Sequence, residues 1–297
     1  MIRALRILHF SDIHIGMHIR HMHWKKWFSK RAVGAINLFR GRGKYFDEAE
    51  QKMQALARFK EQNDIDLVIN TGDYTALGLE RELQLAKKVI EPMMNAPDGY
   101  LTVPGNHDIY VSEVKSQQRF SELFSEVLQS DIPEYCSDGH WPLVRLIRDD
   151  SAVIAINSAR PNPLPWRSNG NIPQSQLDAF ASILRDQRLK KRFIFVVTHY
   201  APRLANGADD TRLHGMVNAD DFLGVCQKID YGAILCGHVH QTYHVNVNEL
   251  RSDIYCAGSA VMSGHEGFWV YERQGNSIEA FRGYWDGARC EYSIRRN

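Results

Sequence analysis

Residues 5–14 of the chain read LRILHFSDIH, a sequence that predicts the first strand and the first polar loop of the fold. Its first six residues are a short apolar run, which predicts a buried strand, and Ser11 and Asp12 end that run. The loop that follows carries Asp12 and His14, two residues apart. This spacing places both side chains on one face of an extended segment, where they can converge on a common point.

The same succession of an apolar run and a polar loop occurs four more times. Predicted strands at 66–70, 99–103, 193–197 and 232–236 lead into TGD (71–73), PGNHD (104–108), TH (198–199) and GHVH (237–240). Helical periodicity separates these runs, at 46–60, 79–94, 114–128, 173–189 and 218–229. Strands that alternate with helices predict a layered α/β fold with the polar loops at the strand ends.

The remaining segments lack this alternation. Residues 144–147 and 153–157 predict a hairpin, and the tail predicts consecutive short antiparallel strands at 243–247, 254–257, 268–271, 277–284 and 290–294. The chain shows no internal repeat and no shift in composition typical of a linker. We therefore expect one α/β domain over residues 1–297, built on two packed sheets.

Composition sets broad limits on the class of protein. A formal net charge of +1 gives no argument for a nucleic-acid partner, and we expect none. Five cysteines without a CxxC pair favour reduced thiols in the cytoplasm. Neither a signal-peptide pattern nor an apolar run of about 18 residues occurs. We expect a cytoplasmic protein, and the composition leaves its oligomeric state open.

Seven side chains at the ends of the predicted strands have the chemistry of metal ligands: Asp12, His14, Asp73, Asn106, His199, His238 and His240. Imidazole, carboxylate and amide oxygen together suit Mn²⁺, Fe²⁺ or Zn²⁺ better than Ca²⁺. Asp73 is central in the order of the loops and could bridge two ions through its two oxygens. Two divalent ions about 3.5–4 Å apart would polarise a phosphoryl group and hold hydroxide for in-line attack, which predicts phosphoester hydrolysis.

Five blocks in this order, namely DIH, GD, GNHD, a lone His and GHVH, resemble the calcineurin-like metallophosphoesterases. The resemblance covers about residues 5–261 and implies a two-sheet β-sandwich flanked by helices. It implies that one metal is held by Asp12, His14 and His240. It implies that the other is held by Asn106, His199 and His238, with Asp73 bridging the two.

Further polar residues near these blocks are candidates for catalysis and substrate binding. The resemblance implies that His107 is a general acid that protonates the leaving group, and we expect Asp108 to orient the His107 imidazole. Candidates for holding a substrate phosphate are Arg160, Arg203, Arg212 and His214. Solvated loop charge is the alternative for these four side chains.

A basic amphipathic insert is predicted at about 17–45, between the first two blocks. It carries eight Lys or Arg and no Asp or Glu, which leaves a net charge of −7 on the rest of the chain. A helical count separates an apolar side from a basic side, with a kink predicted at Gly34. The insert could contact an anionic membrane surface, cover a lipid-like substrate, bind nucleic acid, or pack on the domain as a lid.

The identity of the phosphoester depends on this insert. Its residues 30–37 resemble a bacterial subgroup of the family, some of whose members cleave the pyrophosphate of UDP-2,3-diacylglucosamine. The lid-bearing enzymes best known for that reaction have Arg where this chain has His107, and cyclic-nucleotide phosphodiesterases share the five blocks equally well. We expect hydrolysis of a phosphodiester or pyrophosphate bond, with a metal-binding adaptor at the membrane as the alternative from another class.

Overall fold

Strands and helices alternate along the chain in the computed structural model, which describes residues 3–16, 31–32, 34, 42–111, 114–162, 164 and 166–295. The strands are β1 (Leu5–Phe10), β2 (Leu67–Asn70), β3 (Tyr100–Thr102), β4 (Leu143–Ile147), β5 (Ser151–Ala155), β6 (Phe193–Val197), β7 (Gly232–Cys236), β8 (Tyr243–Val245), β9 (Asp253–Cys256), β10 (Phe268–Gln274), β11 (Ser277–Asp286) and β12 (Glu291–Arg295). The α-helices are α1 (Ala49–Gln62), α2 (Glu80–Met94), α3 (Val114–Leu123), α4 (Gln174–Ile183) and α5 (Ala219–Cys226). Short 3-10 turns cover Arg42–Phe46, Pro133–Tyr135 and Gln187–Leu189.

The strands form two six-stranded mixed sheets. The first sheet has the order β12-β11-β10-β1-β2-β3, and its strands β1, β2 and β3 are parallel. The second sheet has the order β4-β5-β6-β7-β9-β8, in which β5, β6, β7 and β9 are parallel. The five polar loops follow parallel strands, three in the first sheet and two in the second.

Alternating side chains of β6 show how the layers pack. Phe195 belongs to the core cluster that spans both sheets, and its ring lies 6.3 Å from that of Tyr271 on β10 of the other sheet. Val196 points to the opposite face, where it joins a second core cluster with Phe180 of α4 and Phe222 of α5. The predicted two-sheet sandwich flanked by helices is thereby confirmed.

The structure differs from the sequence prediction in the tail. Strand β9 pairs in parallel with β7 in the second sheet, whereas β10 pairs with β1 in the first sheet. The prediction of consecutive antiparallel strands is therefore wrong between these two segments. The connection crosses from one sheet to the other, and it is tied to the loop after β1 because Ala260 N–H donates to the Ser11 carbonyl at 3.0 Å.

Most of the basic insert lies outside the described residues. This includes the residues that the helical count places on its apolar side, Trp24, Phe28, Ala35, Ile36 and Phe39, and on its basic side, Lys25, Lys26, Lys30, Asn37 and Arg40. Residues 31, 32 and 34 are helical, and Arg31 is buried with hydrogen bonds to the Leu77 and Gly78 carbonyls. A Cβ at Gly34 would lie 2.6 Å from a methyl carbon of Leu77. This part of the insert packs on the loop after β2. Among the described residues, no helix combines the length and apolar character needed to span a bilayer.

Candidate active site

The site is built where the carboxyl ends of strands from both sheets meet. The loops after β1 and β2 run side by side, because Asp12 N–H donates to the Gly72 carbonyl and His14 N–H donates to the Asp73 carbonyl, each at 3.0 Å. The second sheet joins them through His238, whose backbone N–H donates to Asp12 Oδ2 at 2.9 Å. Backbone hydrogen bonds thus fix the relative positions of the polar side chains.

Five of the seven predicted ligands have a left-handed backbone. Their φ angles are 54° at Asp12, 41° at His14, 59° at Asp73, 75° at His238 and 52° at His240. Residues other than glycine rarely adopt this conformation, and it costs about 1–3 kcal/mol at a strained position. Such a concentration of strain is typical of a functional site, where the surrounding structure holds side chains in a required direction.

Two glycines of the motifs are required because another loop passes too close to them to leave room for a side chain. A Cβ at Gly105 would lie 2.0 Å from Asp73 Oδ1 and 2.4 Å from the Asp73 backbone nitrogen. A Cβ at Gly237 would lie 2.1 Å from Ser11 Oγ and 2.6 Å from Asp12 Oδ2. Both motif glycines therefore allow the backbone of one loop to pass directly beside a carboxylate of another.

The first cluster consists of Asp12, His14, Asp73 and His240, whose ligand atoms lie within 4.8 Å of one another. Nε2 of His14 lies 2.9 Å from Nε2 of His240, and the latter lies 3.2 Å from Asp12 Oδ1. His14 Nδ1 is 3.1 Å from the Thr75 carbonyl, so its proton resides there and Nε2 presents a lone pair to the cluster.

The environment of a buried carboxylate oxygen in this cluster shows whether the donors suit a cation. Oδ1 of Asp12 is fully buried, and it faces Nε2 of His240 at 3.2 Å and Nε2 of His14 at 3.7 Å without a well-formed hydrogen bond from any described residue. A buried carboxylate oxygen without a donor is costly unless a cation compensates it. The two imidazole nitrogens that face the same point are further donors of the kind that divalent transition metals prefer. This donor set fits a metal ion.

The second cluster consists of Asp73, His199 and His238, again with ligand atoms within 4.8 Å of one another. Nε2 of His199 lies 3.2 Å from Asn106 Oδ1, which places the predicted amide ligand beside the cluster. His199 Nδ1 lies 2.7 Å from the Thr71 carbonyl, an arrangement that directs Nε2 toward Asp73.

Asp73 is shared by both clusters. Its Oδ2 lies 3.7 Å from Nε2 of His14 and 3.6 Å from Nε2 of His199. Its Oδ1 accepts the backbone N–H of His107 at 2.8 Å. The carboxylate therefore presents a single oxygen, almost equidistant from the two histidines, to both clusters.

The pKa shifts of these groups favour the protonation states that bind metal ions. Burial opposes ionisation of Asp12, but its contacts with His14 and His240 hold the pKa of this carboxyl well below its usual range. Burial lowers the pKa of His199, and burial together with neighbouring imidazoles lowers the pKa of His238 well below its usual range. An ionised carboxylate and neutral imidazoles are the forms that bind metals.

His107 lies beside the first cluster. Its ring centroid is 4.7 Å from that of His14, and its Nδ1 lies 2.6 Å from the Ala76 carbonyl. The ring is half-buried and stacks on Tyr110 with centroids 5.2 Å apart. The carbonyl and the stacked ring together fix the orientation of this imidazole.

Asp108 does not orient His107, which corrects the prediction from sequence. Its carboxylate accepts backbone N–H groups of Asp73 at 3.0 Å, Tyr74 at 3.0 Å, Thr75 at 3.1 Å and Gly105 at 2.9 Å. It is buried, and it joins the loop after β2 to the loop after β3. The residue therefore shapes the backbone around Asp73, and the Ala76 carbonyl holds the His107 ring in its place.

Two of the predicted phosphate-binding arginines are engaged in local contacts. Arg160 is half-buried and donates to Asn169 Oδ1 at 2.7 Å. Arg203 pairs with Asp209 at 2.7 Å and also pairs with Asp220. The contacts of Arg203 with two carboxylates favour a charge that is paired within the loop over one that binds a substrate phosphate.

The other two candidates lie on the loop before α5. Arg212 is exposed, and the described residues supply no carboxylate partner for it. The His214 ring lies 4.2 Å from that of His238 and forms a 2.5 Å contact with Asp210, between Nδ1 and Oδ2. Asp210 is not among the residues predicted from the sequence, although it lies four positions before His214.

Tyr200 is a second residue near His238 that was not predicted from the sequence. It follows His199 directly, and the centroid of its ring lies 4.2 Å from that of His238. Its hydroxyl donates to the Ser168 carbonyl at 2.5 Å. A tyrosine after a motif histidine has no distinctive pattern in sequence, so only the packing shows its position.

Comparison with known proteins places this site in a family. The model of the calcineurin-like phosphoesterase family matches residues 5–242. A dimetal phosphatase from Danio rerio shares the fold with a TM-score of 0.64 and 12% identity, over 94% of this chain and 95% of its own. A purple acid phosphatase from yellow lupin seeds gives a TM-score of 0.58 and 13% identity, over 98% of this chain and 53% of its own. No curated protein matches the chain significantly in sequence. Because the family model spans most of the sequence and all five blocks, the chain belongs to the calcineurin-like phosphoesterase family and is a phosphoester hydrolase.

Proposed function

We propose that the protein hydrolyses a phosphodiester or pyrophosphate bond with two divalent cations bound on either side of Asp73. The observation that carries this proposal is the position of Asp73 Oδ2, 3.7 Å from His14 Nε2 and 3.6 Å from His199 Nε2. One ion would be held by Asp12, His14 and His240, and the other by Asn106, His199 and His238. Mn²⁺, Fe²⁺ and Zn²⁺ all suit these donors.

Two divalent ions in these positions would neutralise phosphoryl charge and activate water for in-line attack. His107 is proposed to donate a proton to the leaving-group oxygen. Its Nδ1 is held by the Ala76 carbonyl, so Nε2 is the ring nitrogen assigned to proton transfer. Asp108 supports this arrangement indirectly, because it holds the backbone of Asp73 and Gly105.

The test is turnover of bis-p-nitrophenyl phosphate by metal-free protein reconstituted with Mn²⁺, in parallel with His240→Ala as a variant that lacks one proposed ligand. We expect Mn²⁺-dependent hydrolysis by the wild type and a rate at least about 100-fold lower for the variant. A metal-loaded wild type that is inert toward a broad phosphoester panel would instead support the role of a metal-binding adaptor.

For the substrate, we propose an amphiphilic phosphoester such as a lipid-linked nucleotide. Support comes from four exposed apolar side chains on two paired segments: Leu164 and Trp166 lie on one, and Leu213 and Val217 lie on the other, which also carries His214 against the His238 ring. The segments are joined because Ser168 N–H donates to the Leu213 carbonyl at 2.9 Å. Trp166 is 68% exposed and Leu213 is 53% exposed, which suits contact with an apolar group.

A substrate panel separates this proposal from hydrolysis of cyclic nucleotides. We expect a nucleotide-lipid pyrophosphate such as UDP-2,3-diacylglucosamine to give a higher kcat/KM than 3′,5′-cyclic AMP. In Trp166→Ser, that preference should shrink because an apolar contact is lost. A cyclic nucleotide hydrolysed with the higher kcat/KM, unaffected by Trp166→Ser, would contradict the lipid-linked assignment.

Contact of the basic insert with an anionic membrane is a separate proposal. Support comes from its eight Lys or Arg and no Asp or Glu in residues 17–45. Flotation with phosphatidylglycerol vesicles should retain the wild type and lose a variant in which Lys25, Lys26 and Lys30 are changed to Glu. Absence of wild-type binding at moderate salt would exclude this contact.

A further inference from the structure

The segment Asp210–Gly215 lies against a proposed metal ligand without belonging to either ligand set. It is part of the loop between β6 and α5, and it ends in a tight turn where His214 N–H and Gly215 N–H both donate to the Thr211 carbonyl, at 3.0 and 2.8 Å. A Cβ at Gly215 would lie 2.6 Å from the Cβ of Asp210. The turn is therefore folded closely onto Asp210.

This turn contacts His238 in two ways. The His214 carbonyl oxygen lies 3.1 Å from His238 Nε2 and accepts its proton. The His214 ring also packs against the His238 ring, with centroids 4.2 Å apart and an interplanar angle of 31°. Because Nε2 carries the proton in this hydrogen bond, Nδ1 is the nitrogen whose lone pair can bind a metal.

His214 is itself held in place by Asp210. Nδ1 of His214 lies 2.5 Å from Oδ2 of Asp210, and the aspartate is mostly shielded from solvent. Tyr200 packs on His238 as well, with ring centroids 4.2 Å apart. The His238 ring therefore contacts the rings of His214 and Tyr200 as well as that of His199, and a hydrogen bond fixes its tautomer.

We propose that Asp210 and His214 are positioning residues for His238 and set the affinity of the second metal position. Asp210 holds the His214 side chain, and His214 holds the His238 ring and directs its Nδ1 toward Asp73 and His199. The inference rests on the proposed two-cation site. It assigns His214 a role through His238 in place of direct contact with a substrate phosphate.

A matched pair elsewhere in the chain provides the control. His244 Nε2 lies 2.8 Å from Asp253 Oδ2, and the His244 ring stacks on Tyr255. This pair joins the same two residue types at a similar distance, through the other ring nitrogen. It lies on β8 and β9, and the structure records no contact between it and His238 or another proposed ligand. Its loss should leave metal binding unchanged.

The experiment is calorimetric titration of metal-free protein with Mn²⁺, on the wild type and on Asp210→Ala, His214→Phe, Asp253→Ala and His244→Phe. We expect two binding events in the wild type. Both Asp210→Ala and His214→Phe break the contact between Asp210 and the His214 ring that holds the turn, so the His214 carbonyl should no longer fix the His238 ring. We expect one event to weaken by about 10-fold or more, as it does when the support of a metal-ligating histidine is lost, and the other event to stay unchanged. The two control variants should match the wild type.

A second measurement keeps the proposal testable if Asp210→Ala or His214→Phe fails to fold. Long-range ¹H–¹⁵N NMR of the imidazoles reports the tautomer directly, and the conservative Asp210→Asn variant keeps the size of the side chain. We expect His238 to carry its proton on Nε2 in the wild type and to populate both tautomers in Asp210→Asn. Unchanged affinities in Asp210→Ala and His214→Phe, or an unchanged tautomer in Asp210→Asn, would overturn the proposal. A wild type that binds fewer than two ions would contradict the proposed function instead.

Discussion

The backbone N–H of His107 donates a 2.8 Å hydrogen bond to Oδ1 of Asp73. This bond ties the loop that carries the proposed acid to the carboxylate that both clusters share. It also occupies one carboxylate oxygen, so that Oδ2 alone faces His14 and His199. The position of the acid and the direction of the shared ligand are thus set by one contact.

Removal of the His107 imidazole should affect chemistry more than metal binding. In His107→Asn, we expect turnover of a phosphodiester with a poor alkoxide leaving group to fall about 10²–10⁴-fold, because protonation of that oxygen is lost. Turnover of bis-p-nitrophenyl phosphate should fall much less, because nitrophenolate leaves without a proton. Steady-state kinetics on both substrates test this, with Mn²⁺ stoichiometry as the control. An equal loss on both substrates would argue against a general acid.

Asp108 should behave as a structural residue of the loops. Asp108→Ala leaves four backbone N–H donors without their acceptor, and we expect the free energy of unfolding to fall by about 3 kcal/mol or more. Asp230→Ala is the control, since the Asp230 pair with Arg251 is exposed and should contribute less than about 1 kcal/mol. Urea denaturation of metal-free protein measures both. A normal stability for Asp108→Ala with reduced kcat would restore the role predicted from sequence.

Gly105 should tolerate no side chain. Gly105→Ala would place a methyl group 2.0 Å from Asp73 Oδ1, so the shared carboxylate must move. We expect loss of at least one Mn²⁺ and a fall of about 100-fold or more in kcat/KM. Gly224→Ala is the matched control, because an added Cβ there meets nothing within 4 Å and should stabilise α5 by about 0.5–1 kcal/mol. Similar activity of the two variants would contradict the close packing.

His9 should make stability depend on pH in the acidic range. It is buried on β1, and its ring nitrogens contact the Tyr271 and Thr71 hydroxyls at 3.0 and 3.2 Å. Burial lowers the pKa of His9 to about 3 from an ordinary value of 6.5. The unfolded chain therefore takes up a proton that the folded chain does not, and the stability present above pH 6.5 is lost as pH falls toward 3. The loss from this residue is at most about 1.4 kcal/mol per pH unit.

The comparison that isolates this effect is wild type against His9→Asn, both metal-free, unfolded by urea at pH 7, 6 and 5. We expect the variant to have a lower free energy of unfolding than the wild type at pH 7. Between pH 6 and 5, its free energy of unfolding should fall less than that of the wild type, by about 1.4 kcal/mol per pH unit, because one fewer proton is taken up on unfolding. Parallel profiles for the two proteins would show that His9 does not carry this pH dependence.

Much of the fold could be predicted because its signals are local. The apolar run Leu5–Phe10 and the polar loop after it coincide with β1 and its end, and Gly232–Cys236 coincides with β7. The pairing of β9 with β7 and of β10 with β1 could not be predicted in the same way. Strand pairing depends on contacts between distant segments, and the short tail strands carry no signal that distinguishes one sheet from the other.

In the candidate site, too, local features could be predicted from the sequence and contacts between distant segments could not. Residue types and their order predicted that Asp12, Asp73 and His199 would converge, and the structure brings them together, while their roles as ligands stay proposals. The supporting contacts were not predictable, as Asp108 shows. Adjacency in sequence suggested that it contacts His107, yet the turn directs its carboxylate to the amides of Asp73, Tyr74 and Thr75. Such contacts depend on backbone direction, which the left-handed φ angles of this site determine.

Bridging of two cations by Asp73 can be observed directly in a crystal structure of the protein with Mn²⁺ and an anomalous difference map. We expect two peaks on either side of Asp73 Oδ2, about 3.5–4 Å apart. One peak should lie within bonding distance of Asp12, His14 and His240, and the other near Asn106, His199 and His238. A single peak, or two peaks of which only one contacts Asp73, would show that Asp73 does not bridge two cations.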